Sequence, residues 1–238
     1  MGETIIGAPF TAALGGGIAW INFTSDGSLV TRPAGLVPVS EGVMEVVVLR
    51  TDASGASTDT LVRASVPAIE PEGWSPFVVP DWPVPHAAVS ELGHIAISGT
   101  QQEYRVRVQR PDSNDLVICR TVDPQHGSDD PIADLDPVIR AALLKAPKPS
   151  NPASVGRVAY DEENRLWVQR DRPSLARPED IVLGREGALF DVYHGTTYLG
   201  EVRFPERVRL VAAVREMVIG LERNEMDEYS LVAYRLRN

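Results

Sequence analysis

The sequence predicts an all-β fold, a β-propeller of about four recognisable blades, and three observations support this class. One local pattern occurs four times: an apolar strand, a short polar turn and a second apolar strand. Further apolar segments follow the copies, as expected for blades of four antiparallel strands. Apolar and charged residues alternate across 103–108, which is the period of a half-buried strand.

The copies differ in residue identity but share their order of segments. The first contains Asp26-Gly27, a strong short signal for a tight hairpin, and the second turns at Ser90-Glu91-Leu92-Gly93. The four copies span residues 20–30, 87–97, 158–168 and 212–219.

The fourth copy is incomplete and carries a conflicting signal. The chain stops one strand short after 229–236, and residues 4–6 are the candidate for a closing strand from the N-terminus. Leu210, Val214 and Leu221 belong to an apolar series with helical spacing, which alone predicts a helix across 207–222. Alignment with the other copies favours two strands there instead.

Inserts separate the copies. Residues 67–85 are rich in proline and predict an extended connection. Asp136 is a fitting N-cap and Pro137 fits the first helical position, so a short helix follows, with an apolar side of Ile139, Leu143 and Leu144. Pro147 and Pro149 stop that helix. A surface loop is predicted at 171–187.

One copy resembles a known family. Gly156-Arg157-Val158-Ala159-Tyr160-Asp161, running into 165–170, is similar to the D-x-x-G-R-L-W-V hairpin of bacterial six-bladed β-propeller proteins. Residues 218–221 and 227–236 resemble the C-terminal blade of that family, and 75–86 its approach to an inner strand. Asn164 stands where the family has glycine, and asparagine also accepts a left-handed turn conformation. The resemblance covers 75–238 well and 1–74 loosely, and implies the fold rather than a function.

The resemblance also bears on domain organisation. The family's chain is longer, so residues 1–238 form either a single smaller propeller domain or the C-terminal part of a six-bladed one. Family members are mostly exported, whereas the start of this chain has no signal-peptide pattern, so the sequence leaves localisation open.

Composition excludes several classes of partner. A net charge of −10 and a pI near 4.9 argue against binding a phosphate backbone or an anionic membrane surface. No apolar run reaches the ~18 residues that a membrane span needs. The single cysteine, Cys119, cannot form an intramolecular disulfide, and its apolar run predicts a buried thiol.

The usual catalytic motifs do not occur in the sequence. There is no Gly-x-Ser-x-Gly elbow and no His-Glu-x-x-His motif, and the four histidines are dispersed. Asp129, Asp130, Asp134 and Asp136 lack the spacing of a calcium-binding EF-hand, so a solvated loop with a helix cap is favoured. The sequence therefore predicts no catalytic residue, metal or cofactor.

Candidate binding residues open the predicted inner strands, because propeller sites lie where those strands converge. They are His86, Arg157 and Arg209. The guanidinium groups of Arg157 and Arg209 present a fixed fork that suits a small anionic ligand. The alternative is that these arginines pair with nearby acids such as Asp161 or Glu206.

These observations favour a non-catalytic propeller that serves as an interaction or ligand-binding module, with a protein or a small anion as partner. The alternative is a calcium-dependent hydrolase of the sugar-lactonase type, which is also built on a propeller. Open strand edges at 4–10 and 229–236 predict self-association of the chain. The alternative is that the chain closes on itself as a smaller ring.

Overall fold

The fold, in a computed structural model, is all-β with one helix among the described residues. The residues described are 18–33, 37–73, 77–79, 82, 84–98, 103–122, 136–147, 155–170, 189–205, 208–214, 217–224 and 228–235. Their strands form four antiparallel sheets that follow one another along the chain.

Sheet 1 has six strands. They are β1 (Ile18–Phe23), β2 (Leu29–Pro33), β3 (Val37–Ser40), β4 (Val43–Thr51), β5 (Thr58–Ile69) and β6 (Phe77–Val78). The order is β1-β2-β4-β5-β6, with β3 paired to β4. The core of this sheet is thus the predicted four-strand unit, extended by two short strands.

Sheets 2 and 3 are four-stranded meanders. Sheet 2 consists of β7 (His86–Val89), β8 (Ile95–Ser98), β9 (Arg105–Arg110) and β10 (Ser113–Cys119). Sheet 3 consists of β11 (Val155–Tyr160), β12 (Leu166–Arg170), β13 (Leu189–His194) and β14 (Thr197–Arg203). Within both sheets each strand pairs with the next one along the chain.

The predicted helix is confirmed as α1 (Pro137–Lys145), between sheets 2 and 3. The Asp136 carboxylate accepts a 2.8 Å hydrogen bond from the Val138 amide and caps the N-terminus. Ile139 and Leu143 are buried, but Leu144, expected on the same apolar side, is exposed. The buried side is therefore narrower than predicted.

Sheet 4 has three strands among the described residues, β15 (Val208–Val214), β16 (Met217–Arg223) and β17 (Tyr229–Arg235). The strand interpretation of 207–222 is thus confirmed, and the helical one is wrong. The register shifts between Leu210 and Ala212, so Val208 and Ala213 are both buried although they are five positions apart and would lie on opposite faces of a regular strand. This irregularity explains the helix-like spacing of apolar residues.

The same turn joins the first two strands of sheets 1, 2 and 3. The fourth residue of each turn donates its amide to the first residue's carbonyl at 3.0 Å: Gly27 to Thr24, Gly93 to Ser90 and Asn164 to Asp161. These fourth residues have φ values of +80°, +77° and +58°. The glycines and the asparagine supply this left-handed conformation, which confirms the repeat in three copies.

Consecutive sheets pack face to face through apolar side chains. On β7, Ala87 packs toward sheet 1 while Ala88 packs toward sheet 3. On β12, Val168 packs toward sheet 2 while Trp167 packs toward sheet 4. Because side chains alternate along a strand, sheets 2 and 3 each have two apolar faces. The core is therefore a series of layers between the sheets.

One prediction about burial is wrong. Cys119 is exposed, whereas its neighbour Ile118 is buried. Strand β10 lies at the edge of sheet 2 and alternates, so an apolar sequence there does not bury every residue. The segments 4–6 and 171–187 and the aspartates 129, 130 and 134 lie outside the described residues.

Candidate functional site

The structure places the three predicted site residues in the first strands of three sheets. His86 opens β7, Arg157 lies in β11 and Arg209 lies in β15. Arg209 pairs with Leu221 through the backbone, and its side chain lies outside the described part of the chain. The site can therefore be built from His86 and Arg157 and from what surrounds them.

His86 and Arg157 lie on strands that pack against each other, β7 and β11. His86 pairs across sheet 2 with Ser98, the last residue of β8. The Ser98 hydroxyl is fully buried and donates a 2.7 Å hydrogen bond to the carbonyl of Gly156. Gly156 directly precedes Arg157, so this contact joins the end of β8, which pairs with His86, to the start of β11.

Sequence reasoning missed a third residue, Arg32, near the end of β2. Its neighbour on the same face, Val30, is fully buried against Ala87 and Ile97 of sheet 2. Because residues two apart share a face of a strand, Arg32 approaches β7 from the side opposite to Arg157. The positive charges of Arg32 and Arg157 both act on the His86 ring.

The repeat itself contains the signal for Arg32. Trp20, His86 and Arg157 each lie four residues before the first residue of the shared turn, and Arg32 and Ser98 each lie five residues after its last. Trp20 pairs with Arg32 as His86 pairs with Ser98. An alignment of the repeats would therefore have placed the Trp20–Arg32 pair of sheet 1 at the position that the His86–Ser98 pair has in sheet 2.

The electrostatics of the cluster keep the histidine neutral. Burial, together with the positive charges of Arg32 and Arg157, lowers the pKa of His86 to about 3. At neutral pH the half-buried His86 ring thus has one N–H donor and one acceptor nitrogen, whereas both arginines are cations. These three side chains therefore comprise two guanidinium cations and one neutral imidazole.

Arg32 is a cation with an unsatisfied donor. Its side chain is half-buried, its Nε is buried without a hydrogen-bond partner, and none of the ion pairs among the described residues includes it. Burial lowers the pKa of Arg32, as expected for a guanidinium withdrawn from water. Such a group is suited to an external acceptor that carries negative charge.

In a second polar cluster, around Asp191, the buried carboxylate is paired with hydrogen-bond donors of the protein itself. The fully buried Asp191 carboxylate accepts hydrogen bonds from Arg120 at 2.7 Å and from Arg170 at 2.8 and 3.0 Å. Tyr104 and Tyr193 are joined nearby through their hydroxyls at 3.0 Å. Burial would raise the pKa of Asp191, but hydrogen bonds and the arginine charges lower it overall. This cluster joins sheet 2 to sheet 3.

The motif that carries the family resemblance also has a structural role. The buried Asp161 carboxylate accepts from the Arg165 amide at 2.8 Å, the Arg165 Nε at 2.6 Å and the Trp167 indole at 2.9 Å. Asp161, named above as a possible partner for Arg157, is bound by these contacts to its own hairpin. The motif thus secures the β11–β12 hairpin.

Within the described ranges, no three residues of the types His, Cys, Asp and Glu lie close enough together to hold a metal ion. The same part of the chain has no helix whose length and hydropathy would let it cross a membrane. The chain matches no protein-family model, and no curated protein is significantly similar to it.

Proposed function

We propose that the protein is a β-propeller whose four sheets are blades, and that it binds a small anionic ligand without performing chemistry on it. The consecutive packing of the sheets supports the fold. Each sheet packs on the next, and β7 adjoins both β1 and β11. The turns of sheets 1 and 2 also lie side by side, since a Cβ on Gly93 would come within 3.1 Å of the Ser25 hydroxyl.

The buried Nε of Arg32 carries the proposal for the ligand. A desolvated guanidinium donor without a partner is energetically unfavourable, so most such groups in folded proteins are paired. An oxyanion beside Arg32 would supply both the missing acceptor and the missing counter-charge. His86 lies on β7, which packs on sheet 1, and Arg157 lies on β11, which packs against β7. On this proposal both belong to the inner ends of strands, where the blades of a propeller converge.

The proposal is tested by titrating the protein with sulfate, phosphate and succinate, and measuring the heat of binding and the melting temperature. We expect saturable binding of at least one anion and a rise in melting temperature. Arg32→Met should abolish or weaken binding at least tenfold, because it removes a desolvated ionic partner.

Arg63→Met is the matched control, since Arg63 is an exposed arginine that pairs with Glu45 on sheet 1. It removes the same charge and should leave anion binding unchanged. Equal binding by the wild-type chain and Arg32→Met would refute the site. The hydrolase alternative would be correct if the purified protein contained stoichiometric calcium and had a lactonase activity that was lost when the calcium was removed.

A further inference from the structure

The side chain of Arg32 lies on the face of β2 that carries the apolar layer between sheets 1 and 2. Val30 shares this face, and Val48 lies level with Arg32 on the neighbouring strand, because Thr31 pairs with Leu49. Both valines are fully buried and pack against sheet 2. An acceptor that reaches the buried Nε of Arg32 must therefore exchange water for surroundings that include aliphatic side chains.

Sheet 2 also places an apolar residue at this level. Arg32 lies five residues after the shared turn of sheet 1, Pro85 lies five residues before the shared turn of sheet 2, and the two turns are side by side. Pro85 is buried and lies two positions before Ala87, which packs toward sheet 1. A proline has no amide hydrogen to donate to an anion. The position next to Arg32 is therefore bordered by aliphatic side chains from both sheets.

These surroundings distinguish between classes of anion. One edge of a guanidinium donates two parallel N–H bonds, which match the two oxygens of a single carboxylate. Sulfate and phosphate have further oxygens, and succinate has a second carboxylate, so each would lose hydration at the apolar border without gaining a partner there. An apolar group attached to the carboxylate instead gains affinity, by about fourfold for each methylene that becomes fully buried.

Resting on the proposed anion site, we infer that its ligand is a monocarboxylate with an apolar body. The carboxylate pairs with the guanidinium of Arg32 and supplies the acceptor that the buried Nε lacks. The body lies against the aliphatic side chains where sheet 1 packs on sheet 2. Charge thus fixes one end of the ligand, and the hydrophobic effect selects the other.

The inference is tested by calorimetric titration with acetate, butyrate and hexanoate near neutral pH, where all three are ionised. We expect the affinity to rise about twofold to fourfold for each added methylene, since burial of the body is partial to complete. Hexanoate should bind at least tenfold more tightly than sulfate, phosphate or succinate. In nuclear magnetic resonance spectra, the Nε–H signal of Arg32, identified by its loss in Arg32→Met, should shift on binding.

Two controls separate the roles of charge and chain length. Hexanamide has the same apolar chain as hexanoate but no charge, and it should bind the wild-type chain at least tenfold more weakly. This comparison needs no variant, so it holds even if Arg32→Met fails to fold. Arg32→Met should lose affinity for every carboxylate of the series, whereas Arg63→Met, which removes an exposed arginine paired with Glu45, should retain the whole series.

The outcomes separate the inference from the function on which it rests. Binding of sulfate, phosphate or succinate that depends on Arg32 and is at least as tight as that of hexanoate overturns the monocarboxylate class and leaves the anion site. Equal affinities for acetate and hexanoate overturn the apolar body. Equal binding of hexanamide and hexanoate, or hexanoate binding that persists in Arg32→Met, overturns the pairing with Arg32. Absence of binding by all six anions overturns both the inference and the anion site.

Discussion

The hydroxyl of Ser98 donates a 2.7 Å hydrogen bond to the carbonyl of Gly156, and this contact joins sheet 2 to sheet 3 next to Arg157. Ser98→Ala should lower the free energy of unfolding by about 1–2 kcal/mol, because it leaves a buried carbonyl without its donor. Urea denaturation measures this loss. Ser65→Ala, at an exposed position of β5, is the control and should change stability by less than about 0.5 kcal/mol. Equal effects of the two substitutions would contradict the importance of the contact.

Replacing Asn164 with glycine should stabilise the protein. Its φ is +58°, and its side-chain oxygen is buried without a hydrogen-bond partner among the described residues. Asn164→Gly removes both penalties and should raise the free energy of unfolding by about 0.5–1 kcal/mol. Asn164→Ala should lower it by about 1 kcal/mol, because alanine tolerates the left-handed conformation less well. Denaturant midpoints that fall for both variants would rule out this explanation.

The Asp191 carboxylate should be indispensable for joining sheets 2 and 3. Asp191→Asn leaves Arg170 and Arg120 without their buried counter-charge, and we expect a loss of about 3 kcal/mol. Glu201→Gln is the control, since Glu201 is half exposed and meets Arg170 at 3.3 Å, and it should cost under about 0.5 kcal/mol. A double-mutant cycle with Arg170→Met should recover part of the loss. Additive losses in that cycle would argue against direct coupling.

Stability should fall on acidification through His86. The unfolded chain protonates this residue below about 6.5, whereas the folded chain keeps it neutral down to about 3. The unfolded state thus binds more protons in this window, and the free energy of unfolding decreases as the pH falls through it. We expect His86 to account for about 3 kcal/mol of the loss between about pH 7 and 4. His86→Gln should show a shallower decline in urea titrations than His194→Gln, which removes an exposed histidine at the end of β13. Matching slopes would contradict the prediction.

The outer edge of β17 should promote self-association. Only β16 pairs with this strand among the described residues, and Tyr229 and Leu231 are exposed on it. Unpaired apolar edges act as templates for another strand, so mass by light scattering should rise with concentration. Leu231→Lys should suppress this rise, whereas Leu144→Lys, at an exposed position of α1, should not. A 25.9 kDa monomer at high concentration, with β17 protected from hydrogen exchange, would indicate that the chain satisfies its own edges.

Local chemistry made much of the fold predictable. Turn residues and period-two alternation placed the hairpins, and the Asp136-Pro137 pair placed the helix. The burial of Cys119 was predicted wrongly, because sequence alone did not identify β10 as an edge strand. The apolar spacing near Leu210 was ambiguous, because a local irregularity in register imitates a helical period. Propensity is local, whereas edge position and bulges depend on pairing.

The candidate site was predictable only in part. His86 and Arg157 followed from the expectation that sites lie at the openings of inner strands. Arg32 was not predicted, because its relation to His86 arises from the packing of sheet 1 on sheet 2 and not from the sequence of its own strand. The absence of a pairing acid for Arg32 among the described residues is a tertiary property, which residue types and spacing do not encode.

The three side chains of the proposed site come from three different sheets. Their strands are β2 of sheet 1, β7 of sheet 2 and β11 of sheet 3. An anion bound at the proposed site would therefore contact side chains from three sheets at once. If one sheet separated from the others, each sheet could keep its own strands while the anion lost part of its contacts, so the affinity for the anion would report whether the sheets remain packed together. Conversely, an occupied site would stabilise the packing of the three sheets, by an amount that grows with the ratio of free ligand to its dissociation constant.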